Sequence, residues 1–219
     1  MTVKARAVLL GILSIIACQF VTMSATAGST IVALGDSLMA GYGLPPGKGF
    51  AEQLQDALRA RGHDVDVINA GVSGDTSTGG LARLDWSVPE DADAVIVELG
   101  ANDALRGLDP SITRKALSDI VKRLKARGQA VLVAGMKAPP NLGDEYAAQF
   151  DGIYRELATV EEVLIYPFFL DGVAADPALN LADGIHPSAD GVARIVEKIL
   201  PSVEALIAQT GTPASGKAD

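Results

Sequence analysis

Residues 30–43 read TIVALGDSLMAGYG: a β-branched, apolar run that stops on Gly35, after which Asp36 and Ser37 stand where a helix or loop must begin. Four later runs repeat the pattern: DVDVINAG (64–71), DAVIVELG (93–100), QAVLVAGM (129–136) and EVLIYPF (162–168). Longer amphipathic stretches separate them. This alternation is the mark of βαβ units, so an α/β fold with a parallel sheet of at least five strands is expected. Such a sheet gathers its functional loops at the carboxyl ends of its strands. The residues just after each run are therefore where chemistry should be sought.

In the first connection Phe50, Leu54 and Leu58 recur every four residues and Gly62 supplies a stop, as in a helix covering a sheet. Similar helices are expected near 76–86, 111–127, 144–160 and 188–208. In the last, Val192, Ile195, Val196, Ile199, Val203, Leu206 and Ile207 share one face. Pro201 lies inside it, lacks an N–H and crowds the preceding turn, so a kink or break is expected there. No internal repeat is visible.

The chain has 219 residues, 48% of them hydrophobic, which suits one domain with a sizeable core. Residues 1–27 put Lys4 and Arg6 before an apolar stretch and end on small residues, the order of a secretory signal peptide. Gln19 interrupts the apolar run too early for a spanning helix of about 20 residues. Two processing routes stay open. Cleavage after Ala25-Thr26-Ala27 gives a soluble exported protein, while IIAC resembles a lipoprotein lipobox in which Cys18 carries lipid and anchors the protein to a membrane. The expected organisation is a leader (1–27, or cleavage before Cys18), one domain (28–208) and a flexible tail (209–219), in a bacterial protein that is periplasmic or secreted.

Cys18 is the only cysteine, so a domain beginning near Gly28 holds no disulfide, thiol nucleophile or cysteine metal site. Without Lys4 and Arg6, 16 basic residues face 27 acidic ones, a formal charge of −11. That surface repels nucleic acid and anionic membrane. A monomer is the expectation.

Hydrolysing an ester with serine needs a base, a group to orient it and donors for the oxyanion. Two histidines are available. His63 precedes the second strand and falls on the opposite edge of the sheet from Ser37, which suits a structural or solvated residue. His186 follows the fifth strand on the functional edge, with Asp183 one turn earlier. Asp183 could accept from Nδ1 and leave Nε2 free for the Ser37 proton. Taken singly, each feature has a plainer reading: Ser37 or Asp36 as a helix cap, Asp183 capping a turn beside His186, and Gly74 and Asn102 as turn and loop residues. A phosphate loop is excluded, since neither GxxxxGK[ST] nor GxGxxG is present, and Met39 replaces the second glycine of GxSxG. One well-placed histidine with scattered carboxylates makes a weak metal-ligand set.

Four blocks, GDSLMAGYG, NAGVSGDTSTGGLARL, VELGANDALRG and DGIHP, stand in order at the expected strand ends. Together they resemble the SGNH, or GDSL, hydrolase family over about residues 30–207, and within it the bacterial thioesterase I/lysophospholipase L1 (arylesterase) group. The resemblance implies a three-layer α/β/α flavodoxin-like fold with strand order 2-1-3-4-5, no cofactor and no metal. It implies Ser37 as nucleophile, His186 as base and Asp183 as its partner. The oxyanion donors would be the Ser37 and Gly74 N–H groups and the Asn102 side chain. The substrate would be a small-molecule ester or thioester, such as an aryl ester, an acyl thioester or a lysophospholipid. Leu142 stands where relatives often carry tyrosine beside the acyl site, so chain-length preference does not transfer, and Ala101 replaces a common glycine. Two alternatives stay open: a carbohydrate O-deacetylase with a small pocket, and a binding module that keeps the fold without catalysis.

Overall fold

In the computed structural model the described residues are 28–210. The leader, Cys18 and all but the first two residues of the expected tail lie outside them; Gln209 and Thr210 still bond back to Leu206 and Ile207. Five parallel strands, β1 (Ser29–Gly35), β2 (Val65–Gly71), β3 (Ala94–Glu98), β4 (Ala130–Ala134) and β5 (Leu164–Tyr166), form one sheet in the order β2-β1-β3-β4-β5. The order and the parallel pairing agree with expectation. Each strand is shorter at its carboxyl end than the apolar run in the sequence, except for β1 and β2, because the residues beyond it turn into the functional loops.

Strands β1 and β3 are buried along nearly their whole length, Ile31 to Leu34 and Ala94 to Val97, because helices cover both faces. On one side α1 (Ser37–Ala40) and α2 (Phe50–Ala60) accompany α8 (Ala189–Ile207). On the other lie α3 (Ser77–Ala82), α6 (Pro110–Ala126) and α7 (Asp144–Glu161). Two short helices, α4 (Leu84–Ser87) and α5 (Ala101–Leu105), complete the set. The single helix expected near 76–86 is thus two, divided at Arg83, whose side chain turns inward and is 5% exposed.

The expected break at Pro201 does not occur. Helix α8 runs through it unbroken from Ala189 to Ile207. Pro201 and Glu197, whose carbonyl loses its partner, both lie on the solvent side, while Ile199, Leu200 and Val203 are buried and hold the helix to the sheet.

Chain connectivity leaves a crevice where β1 is followed on one side by β2 and on the other by β3. This is the topological switch point, where open α/β sheets place their ligands. The ends of β1 and β3 are in register there, Gly35 beside Glu98. His63 sits at the opposite end, before Val65, and its Nε2 lies 3.3 Å from Glu204.

Candidate active site

Ser37 is the first residue of α1, and its position follows from how β1 ends. A Cβ on Gly35 would collide with Met39 and Glu98, and one on Gly71 would collide with the backbone of Met39 and Ala40. Two glycines thereby let a four-residue helix press onto the strand ends, with Leu38 and Met39 buried beneath it. Asp36 caps this helix, its Oδ1 accepting the Leu38 N–H at 3.0 Å. The capping task falls to Asp36, so the Ser37 hydroxyl is left for other partners.

That hydroxyl lies 2.9 Å from His186 Nε2, and His186 Nδ1 lies 2.7 Å from Asp183 Oδ2. An ionised carboxylate only accepts, so Nδ1 carries the proton and Nε2 is left to accept from the serine. Asp183 Oδ1 also accepts the N–H groups of Ile185 and His186, at 2.9 and 3.0 Å. The His186 and Ile185 amides, with the imidazole, hold the Asp183 carboxyl down at about 2. It is an anion throughout the neutral range. The turn is shaped by Gly184, at φ +69°, and is closed by Leu181 N–H donating to the His186 carbonyl at 2.7 Å. The Tyr42 ring packs on the imidazole, centroid to centroid 4.5 Å.

Asn102 stands on α5, just beyond β3. Its Nδ2 donates to Asp36 Oδ2 at 2.9 Å, which occupies one of its two N–H groups and fixes the direction of the other. Behind Asp36 lies Glu98, fully buried, whose Oε2 accepts the Asp36 N–H at 3.4 Å and whose Oε1 has no partner among the described residues. Burial pushes Glu98 well above the ordinary carboxylate range, and the Asp36 charge adds to the shift. Burial also raises Asp36, opposed by the donors Leu38 and Asn102. Two adjoining carboxyl groups in a dry site do not both ionise. Asp36, which accepts from Leu38 and Asn102, is the better supported as the anion, whereas burial disfavours the charge on Glu98.

Gly74 lies on an exposed turn, residues 72–75, at φ +82°, with Asp75 N–H donating to the Val72 carbonyl at 3.1 Å. Among the described residues neither the Ser37 nor the Gly74 N–H donates to a protein acceptor. Ser37 is at a helix start, where amides lack an intrahelical partner. Ser37, Asn102 and His186 line one open cavity of about 430 Å³, whose other walls include Leu105, Met136, Phe168, Leu170 and Ile185. Gly74 is not among the lining residues, nor is Leu142, although its neighbours Pro139 and Pro140 are. A hydroxyl, an imidazole and a carboxylate in series, beside unengaged N–H donors and an apolar wall, can transfer an acyl group.

Sequence reasoning missed Tyr42, Glu98 and Arg83 around the site. Tyr42 lies inside the first block and its proximity to Ser37 was a usable signal. Glu98 and Arg83 also lie inside the third and second blocks, but nothing in the sequence assigns them partners at the site.

A profile of the GDSL-like lipase/acylhydrolase family matches residues 33–194. The chain is 39% identical over 182 residues to esterase TesA of Pseudomonas aeruginosa, which covers 83% of this chain and 90% of that protein. It is 36% identical over 187 residues to thioesterase 1/protease 1/lysophospholipase L1 of Escherichia coli K12, covering 85% and 88%. Among solved structures, AlinE4, an SGNH-hydrolase family esterase, superposes with a TM-score of 0.70 at 45% identity, over 83% of this chain and 98% of that one.

Proposed function

The chain belongs to the GDSL-like lipase/acylhydrolase family and is a carboxylic ester hydrolase, and from that premise we propose that Ser37 is its nucleophile, with His186 as base and Asp183 as the group that orients it. The observation that carries this reading is the continuous chain Ser37 Oγ, His186 Nε2, His186 Nδ1, Asp183 Oδ2, at 2.9 and 2.7 Å. His186 takes the Ser37 proton as Oγ attacks the acyl carbonyl. The Ser37 and Gly74 N–H groups and the second N–H of Asn102 hold the tetrahedral oxyanion. His186 then returns the proton to the leaving alcohol or thiol, and water, deprotonated by the same imidazole, releases the acid and restores Ser37.

The proposed substrates are aryl esters, acyl thioesters and lysophospholipids. The apolar cavity beside Ser37 supports an acyl chain longer than acetyl, and so favours this class over a carbohydrate O-deacetylase. We further propose that the enzyme works outside the cytoplasmic membrane, supported by the basic and apolar order of residues 1–27. The mass of the mature amino terminus distinguishes release near Gly28 from lipidation at Cys18.

The direct experiment is hydrolysis of para-nitrophenyl esters from acetyl to dodecanoyl by the wild type and by Ser37→Ala. Turnover abolished in the variant, with the wild type preferring chains beyond acetyl, is the expected result. Equal rates in the two proteins would remove Ser37 from the mechanism.

A further inference from the structure

Arg83 is nearly sealed from solvent, yet it touches neither the cavity nor the Ser37–His186–Asp183 chain. Its guanidinium spends its donors on four acceptors from separate places. Nε donates to Asp75 Oδ2 at 2.6 Å. Nη1 donates to the Ala70 carbonyl at 2.8 Å and to Ser87 Oγ at 3.1 Å. Nη2 donates to the Gly35 carbonyl at 2.8 Å. Gly35 lies two residues before Ser37, and Asp75 immediately follows Gly74. A single planar, rigid group thus reaches the backbone leading to one amide of the proposed oxyanion hole and the side chain adjoining the other.

We infer that Arg83 is a positioning residue that sets the separation between the Ser37 and Gly74 N–H groups. The inference rests on the assignment of those two amides as oxyanion donors. The fork geometry of arginine matters here, because a lysine ammonium donates from a single nitrogen and cannot span the acceptors that Nε, Nη1 and Nη2 reach separately. The local packing is built around the pair. Gly79 lacks the Cβ that would collide with the Asp75 carboxylate, and the Arg83–Asp75 ion pair has side chains only 6% and 17% exposed. A second arginine restrains the same turn from outside: Arg106 Nη2 donates to the Gly74 carbonyl at 2.7 Å. Arg106 is exposed, so it trims the turn, whereas the buried Arg83 ties it to β1.

An amide displaced by about 1 Å from a developing oxyanion can cost on the order of 100-fold in rate. Such a loss belongs to the transition state, which distinguishes it from a loss of substrate binding. The test measures kcat and KM on para-nitrophenyl butyrate, the pH profile of kcat/KM, and inhibition by an alkyl boronic acid, whose tetrahedral adduct on serine places an oxygen in the hole. The proteins compared are wild type, Arg83→Lys, Asp75→Asn, Ser37→Ala and Asn102→Ala. Arg83→Lys is expected to lower kcat about 10- to 100-fold, to leave KM within about two-fold and the pH midpoint unmoved, and to raise the boronate Ki in step with the loss of kcat. Asp75→Asn keeps the acceptor and the volume and should lose less. A kcat unchanged in Arg83→Lys, or lowered with no change in boronate Ki, overturns the inference. So does loss of folding in both Arg83→Lys and Asp75→Asn, which would give the guanidinium a purely structural task. If instead Ser37→Ala stays active or Asn102→Ala loses nothing, the underlying assignment of the site fails, whatever Arg83 does.

Discussion

Asn102 donates to Asp36 at 2.9 Å across the junction of β1 and β3, and the same carboxylate caps the helix that begins at Ser37. One aspartate thereby fixes both the start of the helix that carries the proposed nucleophile and the direction of the neighbouring amide. Asn102→Ala is expected to lower kcat by about 10²–10³-fold with little change in KM, the usual cost of one oxyanion donor. Asp36→Asn offers Asn102 an amide that can point its N–H groups the wrong way. Its kcat should fall in the same direction, which steady-state kinetics on a short-chain ester would measure.

Asp183 is held in place by three donors, and its folded pKa of about 2 lies below the ordinary 3.8. A depressed acid binds fewer protons folded than unfolded. Its stabilising effect is therefore complete above pH 4 and drains away as the pH falls toward 2. The Tm difference between wild type and Asp183→Asn should shrink over that interval and close near pH 2. At neutral pH the same variant should lose on the order of 10⁴-fold in kcat, because the imidazole loses the partner that selects its tautomer.

Glu98 has the opposite sign. Its folded pKa is raised by burial, so the folded state binds more protons than the unfolded one, and stability is lost as pH rises from about 4.5 toward the folded value. Glu98→Gln removes that titration. Melting scans from pH 5 to 8 should show the variant gaining on the wild type as pH rises. A constant offset would mean that Glu98 does not hold a proton in the native protein.

The strands and long helices could be read directly from the sequence because their signals are local. β-Branched runs mark buried strands, and Phe50, Leu54 and Leu58 mark a helix face. The small residues after β1 and β3 and the DGIHP turn likewise meet around one cavity, where Ser37, Asn102 and His186 line the wall, since a parallel sheet delivers its carboxyl ends to one edge. The supports behind the site were not legible. Glu98 meets Asp36 across 62 residues, and Arg83 meets Gly35 across 48, and no periodicity encodes such pairings. Pro201 misled for a related reason: its propensity is local, whereas the burial of Ile199, Leu200 and Val203 that overrides it is not.

The cavity wall beside Ser37 includes Leu105, Phe168 and Leu170. Leu170→Trp adds bulk there and should cut turnover of octanoyl and longer esters by at least about 10-fold while sparing acetyl, given the 1–3 kcal/mol usual for overpacking an apolar site. A parallel loss for every chain length would place the acyl chain elsewhere.

Ser37 rides on a helix of four residues, far too short to persist by itself. It is pinned by Leu38 and Met39 in the core. His186 and Asp183 instead sit in a long irregular segment between β5 and α8, closed by one isolated bridge between Asn180 and Pro187. The two halves of the machinery therefore belong to regions of unequal cooperativity. As temperature or denaturant rises, His186, the proposed base, should swing out of reach while Ser37 remains seated, so that inactivation precedes unfolding and reverses on cooling.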